Sequence, residues 1–132
     1  MFNSNGKVLY LLADGDDIGN TVQYHLLTSD IEGVHTFSQI VSEAFSYISS
    51  EIVNTLDANI IFLGGDDILA EIPEEHYDRN IVEKIRKAIA EKFHFTVSMG
   101  IGRSCQEAYI NLRLAKVLGK NRIVENGEVF HG

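Results

Sequence analysis

Two short apolar runs, Asn59-Ile-Ile-Phe-Leu63 and Ile68-Leu-Ala-Glu-Ile72, enclose the four residues Gly64-Gly-Asp-Asp67. Apolar runs joined by a few residues containing glycine read as a β-hairpin. Pro73, the only proline, closes the second run. An acidic pair on a mere solvent turn would not need an apolar strand on each side of it. The hairpin therefore places two carboxylates at a bend between two apolar strands, and the rest of the chain has to be compatible with that.

Upstream, Lys7-Val-Leu-Tyr-Leu-Leu-Ala13 is nearly continuous in apolar residues, as for a central strand covered on both faces. It stops at the turn-rich Asp14-Gly-Asp-Asp-Ile-Gly-Asn20. A short helix over Thr21 to Leu27 is expected, then a second one capped by Ser29 or Asp30. Phe37, Ile40, Val41, Ala44, Phe45, Ile48, Ile52 and Leu56 write one face of that second helix at steps of three and four. Beyond the hairpin comes a basic amphipathic helix. Its inward side is Ile81, Val82, Ile85, Ala88 and Ile89, and Lys84, Arg86, Lys87 and Lys92 are expected on a solvated outer face. Phe95 to Gly102 reads as another strand. Ser104-Cys-Gln-Glu107 has capping-box spacing, opening a helix to Leu118 with Gly119 suited to the left-handed position after it. Helical spacing places Tyr109 and Leu112 in the core. Asn126-Gly127 predicts a terminal hairpin joining Asn121–Glu125 to Glu128–Phe130.

The order, strand, one or two helices, hairpin, helix, strand, helix, predicts an α+β chain of the ferredoxin-like, split βαβ type. It is expected as a single domain over residues 1–132, an antiparallel sheet with helices on one face plus a C-terminal hairpin. The right-handed crossover rule makes the first two strands parallel, with the third inserted antiparallel between them. Asp14, at the end of the first strand, then meets Asp66 and Asp67 at one edge of the sheet.

Crowding three carboxylates raises their pKa values and costs repulsion, which a divalent cation between them removes. Oxygen-only donors suit Mg²⁺ or Mn²⁺. Gly64 and Gly65 leave the hairpin backbone open to a nucleotide. Asp16 reads equally as a ligand or a turn former.

The other totals mostly exclude. A net charge of −8 argues against a general nucleic-acid binder. The first 78 residues hold 14 of the 19 acidic side chains and one basic one, Lys7; the other ten Lys and Arg follow between Arg79 and Arg122, so cations for phosphate come from the second half. A lone cysteine, Cys105, permits no intrachain disulfide and is expected to be inert; with no leader-like or membrane-spanning run, a cytoplasmic protein is expected. The five histidines, His25, His35, His76, His94 and His131, lack ligand spacing. Gly100-Ile-Gly102 lacks the remainder of a dinucleotide fingerprint.

Gly64-Gly-Asp-Asp-Ile-Leu-Ala-Glu-Ile-Pro73 resembles the GGDEF signature of diguanylate cyclases and equally the GGDD turn of the palm domain in type III CRISPR polymerases. Ala115-Lys-Val-Leu-Gly-Lys-Asn-Arg122 is similar to the AKxxGRNR run of that superfamily, and Phe95 to Gly102 to the strand before it. The first motif, Asp14-Gly-Asp-Asp-Ile-Gly-Asn20, is closer to the CRISPR type than to the DxDxFKxxND of diguanylate cyclases. A stand-alone palm of this length most resembles the minimal CRISPR polymerase (mCpol) family.

That resemblance implies a metal-dependent nucleotidyl cyclase making a cyclic di- or oligonucleotide messenger from nucleoside triphosphate, with ATP preferred by similarity. It implies metal at Asp14, the Gly15 carbonyl and Asp66, with Asp67 completing the second metal site or helping to deprotonate the attacking hydroxyl, Asp66 and Asp67 being the catalytic pair. It implies triphosphate binding by Lys116 and Lys120 and by the Asp17, Ile18 and Gly19 amides, with Arg122 structural. A homodimer, an effector responding to the product and a role in antiphage defence come with it. The rival readings are a triphosphate hydrolase or cyclohydrolase on the same fold, and a non-catalytic nucleotide receptor.

Overall fold

The computed structural model describes residues 6–126 and 128–130. The chain runs β1 (Val8–Gly15), α1 (Ile18–Leu27), α2 (Ile31–Leu56), β2 (Asn59–Leu63), β3 (Asp67–Pro73), a single 3-10 turn (Glu74–His76), α3 (Arg79–Phe93), β4 (Val97–Gly102), α4 (Cys105–Val117), β5 (Ile123–Glu125) and β6 (Glu128–Phe130). Asp30, not Ser29, caps α2, accepting from the Gly33 amide. Ser104 caps α4, while Glu107 reaches back one residue further than a capping box requires, to the Arg103 amide. The terminal hairpin forms, β5 antiparallel to β6; Gly127 of its turn lies outside the described residues.

The strands make one sheet in the order β2-β3-β1-β4-β5-β6. β3 lies antiparallel between β1 and β2, as the crossover rule requires, and β4 lies antiparallel on the other side of β1. Only β4 and β5 pair in parallel among the described residues.

Alternation along the strands divides the two faces. Leu9, Leu11 and Ala13 of β1, Ile68, Ala70 and Ile72 of β3, and Val97, Met99 and Ile101 of β4 meet α2 and α3 in one core. Phe45, Ile48, Ile52 and Ile89 are fully buried there; each contributes roughly 1.5–3 kcal/mol by leaving water. The intervening β4 residues, Gly100 and Gly102, face the opposite way, toward α4. The α+β, ferredoxin-like class is thus what forms, with helices on both faces instead of one.

α4 rides directly on the β4 backbone. A Cβ at Gly100 would come 2.1 Å from the Ala108 carbonyl oxygen and 2.3 Å from the Leu112 nitrogen, and one at Gly102 2.5 Å from the Ala108 nitrogen. The Gly100-Ile-Gly102 pair is therefore a packing device. Because α4 sits over β4 and β1, the β3–β2 half of the same face stays open.

Two side chains differ from expectation. Arg86 is 4% exposed instead of solvating the outer face of α3. Its guanidinium pairs with Glu83 at 2.7 Å and donates to the Asn121 carbonyl at 3.1 Å, so a charged side chain bridges α3 to the turn after α4. Tyr109 follows helical spacing but stands 55% exposed, because the core-facing residues of α4 are Ala108, Leu112 and Ala115.

Replacing Gly100 with Ala forces backbone atoms apart, so urea unfolding of Gly100→Ala should show a loss of at least about 1–3 kcal/mol. Gly19 has open space around its Cα. Gly19→Ala should be neutral or gain up to about 1 kcal/mol from helix propensity.

Candidate functional site

The register of β1 on β3 sets Asp14 directly across from Asp67. Such cross-strand partners hold their Cβ atoms roughly 4.5–5.5 Å apart. The Gly15 amide donates to the Asp66 carbonyl at 2.9 Å, tying the hairpin bend to the end of β1. One carboxylate oxygen from each of Asp14, Asp66 and Asp67 then lies within 4.8 Å of the others. Residues more than fifty positions apart meet because an antiparallel ladder brings them there. Burial raises the Asp67 carboxyl above its ordinary 3.8, and the Asp66 and Asp14 charges raise it further. A carboxylate crowded in this way gains by sharing a cation, and a set of hard oxygen donors fits Mg²⁺ or Mn²⁺.

Gly64 makes the arrangement possible. Its own Cβ, if present, would stand 2.1 Å from Asp67 Oδ1, whereas a Cβ on Gly65 would meet nothing within 4 Å. The first glycine clears space for the carboxylate, and the second leaves the bend bare.

Asp16 has a different task. It is 5% exposed and accepts from Thr96 Oγ1 (2.7 Å), Ser98 Oγ (2.7 Å), the Asn121 amide (3.0 Å) and Lys116 Nζ (2.8 Å). Burial alone would raise its pKa, but the bonds from Lys116, Thr96 and Ser98 outweigh it and hold the carboxyl below 3.8. With both oxygens committed, Asp16 is a turn former, and the ligand alternative falls away. Asn121 completes the clamp from a left-handed conformation (φ 51°), following Lys120 at φ 67° and Gly119 at φ 127°.

Lys116 stands at the junction. Its ammonium donates to the Gly15 carbonyl at 2.9 Å and pairs with Asp16 at 2.8 Å and Asp14 at 3.0 Å. Burial would lower its pKa; the hydrogen bonds it donates to Asp16 and Asp14 prevail and raise it. Lys120 pairs with Asp17. Asp17 occupies the N-cap of α1 in a left-handed conformation (φ 59°), and the first helical bond runs from the Thr21 amide to the Asp17 carbonyl. The Ile18 and Gly19 amides therefore precede the helical ladder. Arg122 donates to the Lys120 carbonyl at 2.8 Å, a turn-holding contact.

From residue 10 to residue 126 the chain matches the minimal CRISPR polymerase domain, mCpol. The chain belongs to that family. Among solved structures, Csm1 from T. onnurineus superposes with a TM-score of 0.70 at 19% identity, over 89% of this chain and 20% of that one. The Csm1–Csm4 cassette in complex with cA4 gives 0.68 at 16% identity with the same coverage. The active GGEEF domain of a diguanylate cyclase from Vibrio cholerae gives 0.61 at 14% identity, over 92% of this chain and 83% of that one. These likenesses are of fold, and the mCpol chain spans a fifth of the Csm1 chains. No protein of curated function matches it.

In this mCpol chain the carboxylate rim stands between two hollows. One, of 280 Å³, is formed by α1, α2 and the bend, with Ile18, Phe37, Ser38, Ser42, Gly65 and Asp66 in its walls. The other, of 480 Å³, lies between α4 and the open half of the sheet and reaches Asp14, Asp67 and Lys116. Sequence reasoning missed Thr96 and Ser98, although polar residues alternating with apolar ones in Phe95-Thr-Val-Ser-Met99 were a period-two signal for a polar contact on one sheet face. It also missed Arg86, whose partner Asn121 is 35 residues away. No helix among the described residues is long and apolar enough to cross a membrane.

Two outcomes are expected. Asp16→Asn breaks a buried ion pair and should cost on the order of 3 kcal/mol in chemical denaturation. Because the folded-state pKa of Asp16 is depressed, its contribution is complete above the unfolded value and disappears as pH falls through the folded one. The gap between wild type and Asp16→Asn should accordingly shrink below about pH 4. Gly64→Ala should fold normally yet bind Mn²⁺ at least about tenfold more weakly by calorimetry, since Asp67 must move aside, while Gly65→Ala should bind as wild type.

Proposed function

We propose that the protein is a nucleotidyl cyclase that joins nucleoside triphosphates, ATP by preference, into a cyclic di- or oligonucleotide. The observation that carries this reading is the meeting of Asp14, Asp66 and Asp67 within 4.8 Å at one rim, beside a lysine held by the same strand end. Membership of the mCpol family, and a fold shared with Csm1 and with a GGEEF cyclase domain, support it.

The chemistry is phosphoryl transfer. A ribose hydroxyl oxygen of one nucleotide bonds to the α-phosphorus of another, the bond from that phosphorus to its bridging oxygen breaks, and pyrophosphate departs with the electron pair. Asp14, Asp66, Asp67 and the Gly15 carbonyl would hold divalent ions, which would supply neutralisation of the charge that develops during transfer. Asp67 takes the hydroxyl proton, being the carboxylate whose basicity its surroundings raise. The Ile18 and Gly19 amides, with that of Asp17, meet phosphate oxygens at the start of α1. Lys116 and Lys120 add the positive charge that a triphosphate requires, Lys116 from its pairing with Asp16. The base of this donor nucleotide lies in the hollow between α1 and α2, where Gly65 allows close approach and Ser38 and Ser42 offer hydroxyls.

Ring closure needs a second nucleotide, and a two-fold homodimer with facing rims would bring one. A downstream effector that responds to the product, in antiphage defence, is part of the same proposal, and membership of the mCpol family supports it.

The test is to incubate the purified chain with each of the four triphosphates and Mg²⁺ or Mn²⁺, and identify products by mass spectrometry. Cyclic product with pyrophosphate is expected, reduced at least about a thousandfold in Asp66→Asn with an unchanged melting curve. Only hydrolysed or ring-opened nucleotide would replace this reading with a hydrolase, and binding without turnover would replace it with a receptor.

A further inference from the structure

The edge of the sheet that carries the rim ends in an exposed apolar element on each face. On one face, Phe37 packs on Phe95, two residues before β4 begins, with ring centroids 6.4 Å apart, so α2 reaches the edge at Phe37. The residues from Ile31 to Phe37 carry it about 9 Å past that point. α1 packs against this overhang, His25 on Phe37, and buries none of its own residues. The helix pair ends in an apolar tip: Leu27 is 86% exposed, Ile31 81%, and Tyr24 and Leu26 also stand in solvent. Apolar side chains exposed singly are ordinary, but four within eight residues on a projecting tip form a patch. The tip's charged residues are Asp30 and Glu32, and no Lys or Arg lies between Val8 and Asp78.

On the opposite face α4 ends at the same edge, where Lys116 meets the end of β1. Val117 is 77% exposed there, and Leu118 follows at 43%. The charges around this second patch are of the other sign. Arg113 stands exposed one turn before Val117 and makes no hydrogen bond or ion pair with any described residue. Lys116 and Lys120 lie on either side of the pair.

Two copies with facing rims can be related by a two-fold axis in two ways. An axis normal to the sheets sets tip against tip, so that Asp30 and Glu32 confront their own counterparts. An axis along the sheet edge crosses the faces, and each tip then lies on the α4 end of the other copy. Apolar patch meets apolar patch, and acids meet Arg113 and its neighbours. Like charges across an interface disfavour the first arrangement, and opposite charges favour the second.

We infer that two copies of this chain pair in the crossed way, the α1–α2 tip of each packed on the α4 end of the other. This rests on the cyclase reading above, which calls for facing rims, and it gives that pair a contact surface and an orientation. Both contacts are the same by symmetry, as a closed two-fold requires.

Sedimentation of the full chain, combined with cross-linking, tests it. The wild type should be a dimer, and Leu27→Asp/Ile31→Asp or Val117→Asp should raise its dissociation constant at least about tenfold. These side chains are exposed, so the far-UV circular dichroism of each variant should match wild type. Cys105 is exposed and is replaced by Ser for the cross-linking. A short bis-maleimide should then join Leu27→Cys to Val117→Cys only when the two variants are mixed. Leu27→Cys cross-linking to itself means tip on tip and overturns the crossed arrangement. No cross-link in the mixture, a dimer that neither set of Asp substitutions weakens, or a wild type that is monomeric while making product also overturns it, and all leave the cyclase reading intact. The expected cross-link without cyclic product would overturn the cyclase reading and leave the interface standing.

Discussion

A single buried carboxylate organises this molecule. Asp16 lies just past the end of β1, and its two oxygens collect a hydroxyl from each of Thr96 and Ser98, an amide from Asn121 and the ammonium of Lys116. Those partners come from the start of β4, from the turn after α4 and from the last turn of α4 itself. No apolar contact could fix so many directions at once, because hydrophobic packing is non-directional. The carboxylate can remain charged in a buried position only because all of these donors reach it. Remove one and the others lose their reason to converge. Asp14, two residues earlier, inherits its position from this anchor.

The rim is the opposite kind of cluster. Asp16 is surrounded by donors, whereas Asp14, Asp66 and Asp67 are surrounded largely by one another. Among the described residues only Lys116 pairs with this cluster, through Asp14, and it is shared with Asp16. The fold's stability therefore comes from the core beneath α2 and α3 and from the Asp16 network, and it sustains a repulsive group at the sheet edge. A divalent cation held between those carboxylates would remove the repulsion. The same lysine touches both clusters and links the structural anchor to the rim: whatever displaces Lys116 from Asp14 still finds it tethered to Asp16.

Much of this was legible in the sequence. Strand and helix order, the position of β3 between β1 and β2, and the meeting of Asp14 with Asp66 and Asp67 all follow from apolar periodicity and one handedness rule. Those signals are local, or depend on topology alone. What could not be read were side-chain meetings across long separations. Asp16 gave no sign of whether it ligated or anchored, since that depends on Thr96, Ser98 and Asn121, some 80 to 105 residues on. Arg86 looked like one more cation on a solvated helix face, because its partner lies in a turn whose left-handed backbone no period reveals. Tyr109 misled in the other direction. Periodicity marks it as core, yet α4 packs so close to β4 that only small or medium side chains fit between them. Gly100 and Gly102, read as a broken fingerprint, were the clue to that closeness.

The closeness of α4 has a consequence for access. A helix held away from the sheet by large side chains would spread its cover across several strands. Drawn down onto two glycines of β4, α4 instead covers a narrow band and leaves the β3 and β2 side of its face open, where Leu69 and Phe62 line a groove. On the other face, α1 buries none of its residues and leaves a shallower hollow beside the bend. The carboxylates sit at the edge between these two spaces, reachable from both. In this fold that geometry arises from where glycine allows a helix to lie, before any contact with a ligand is made.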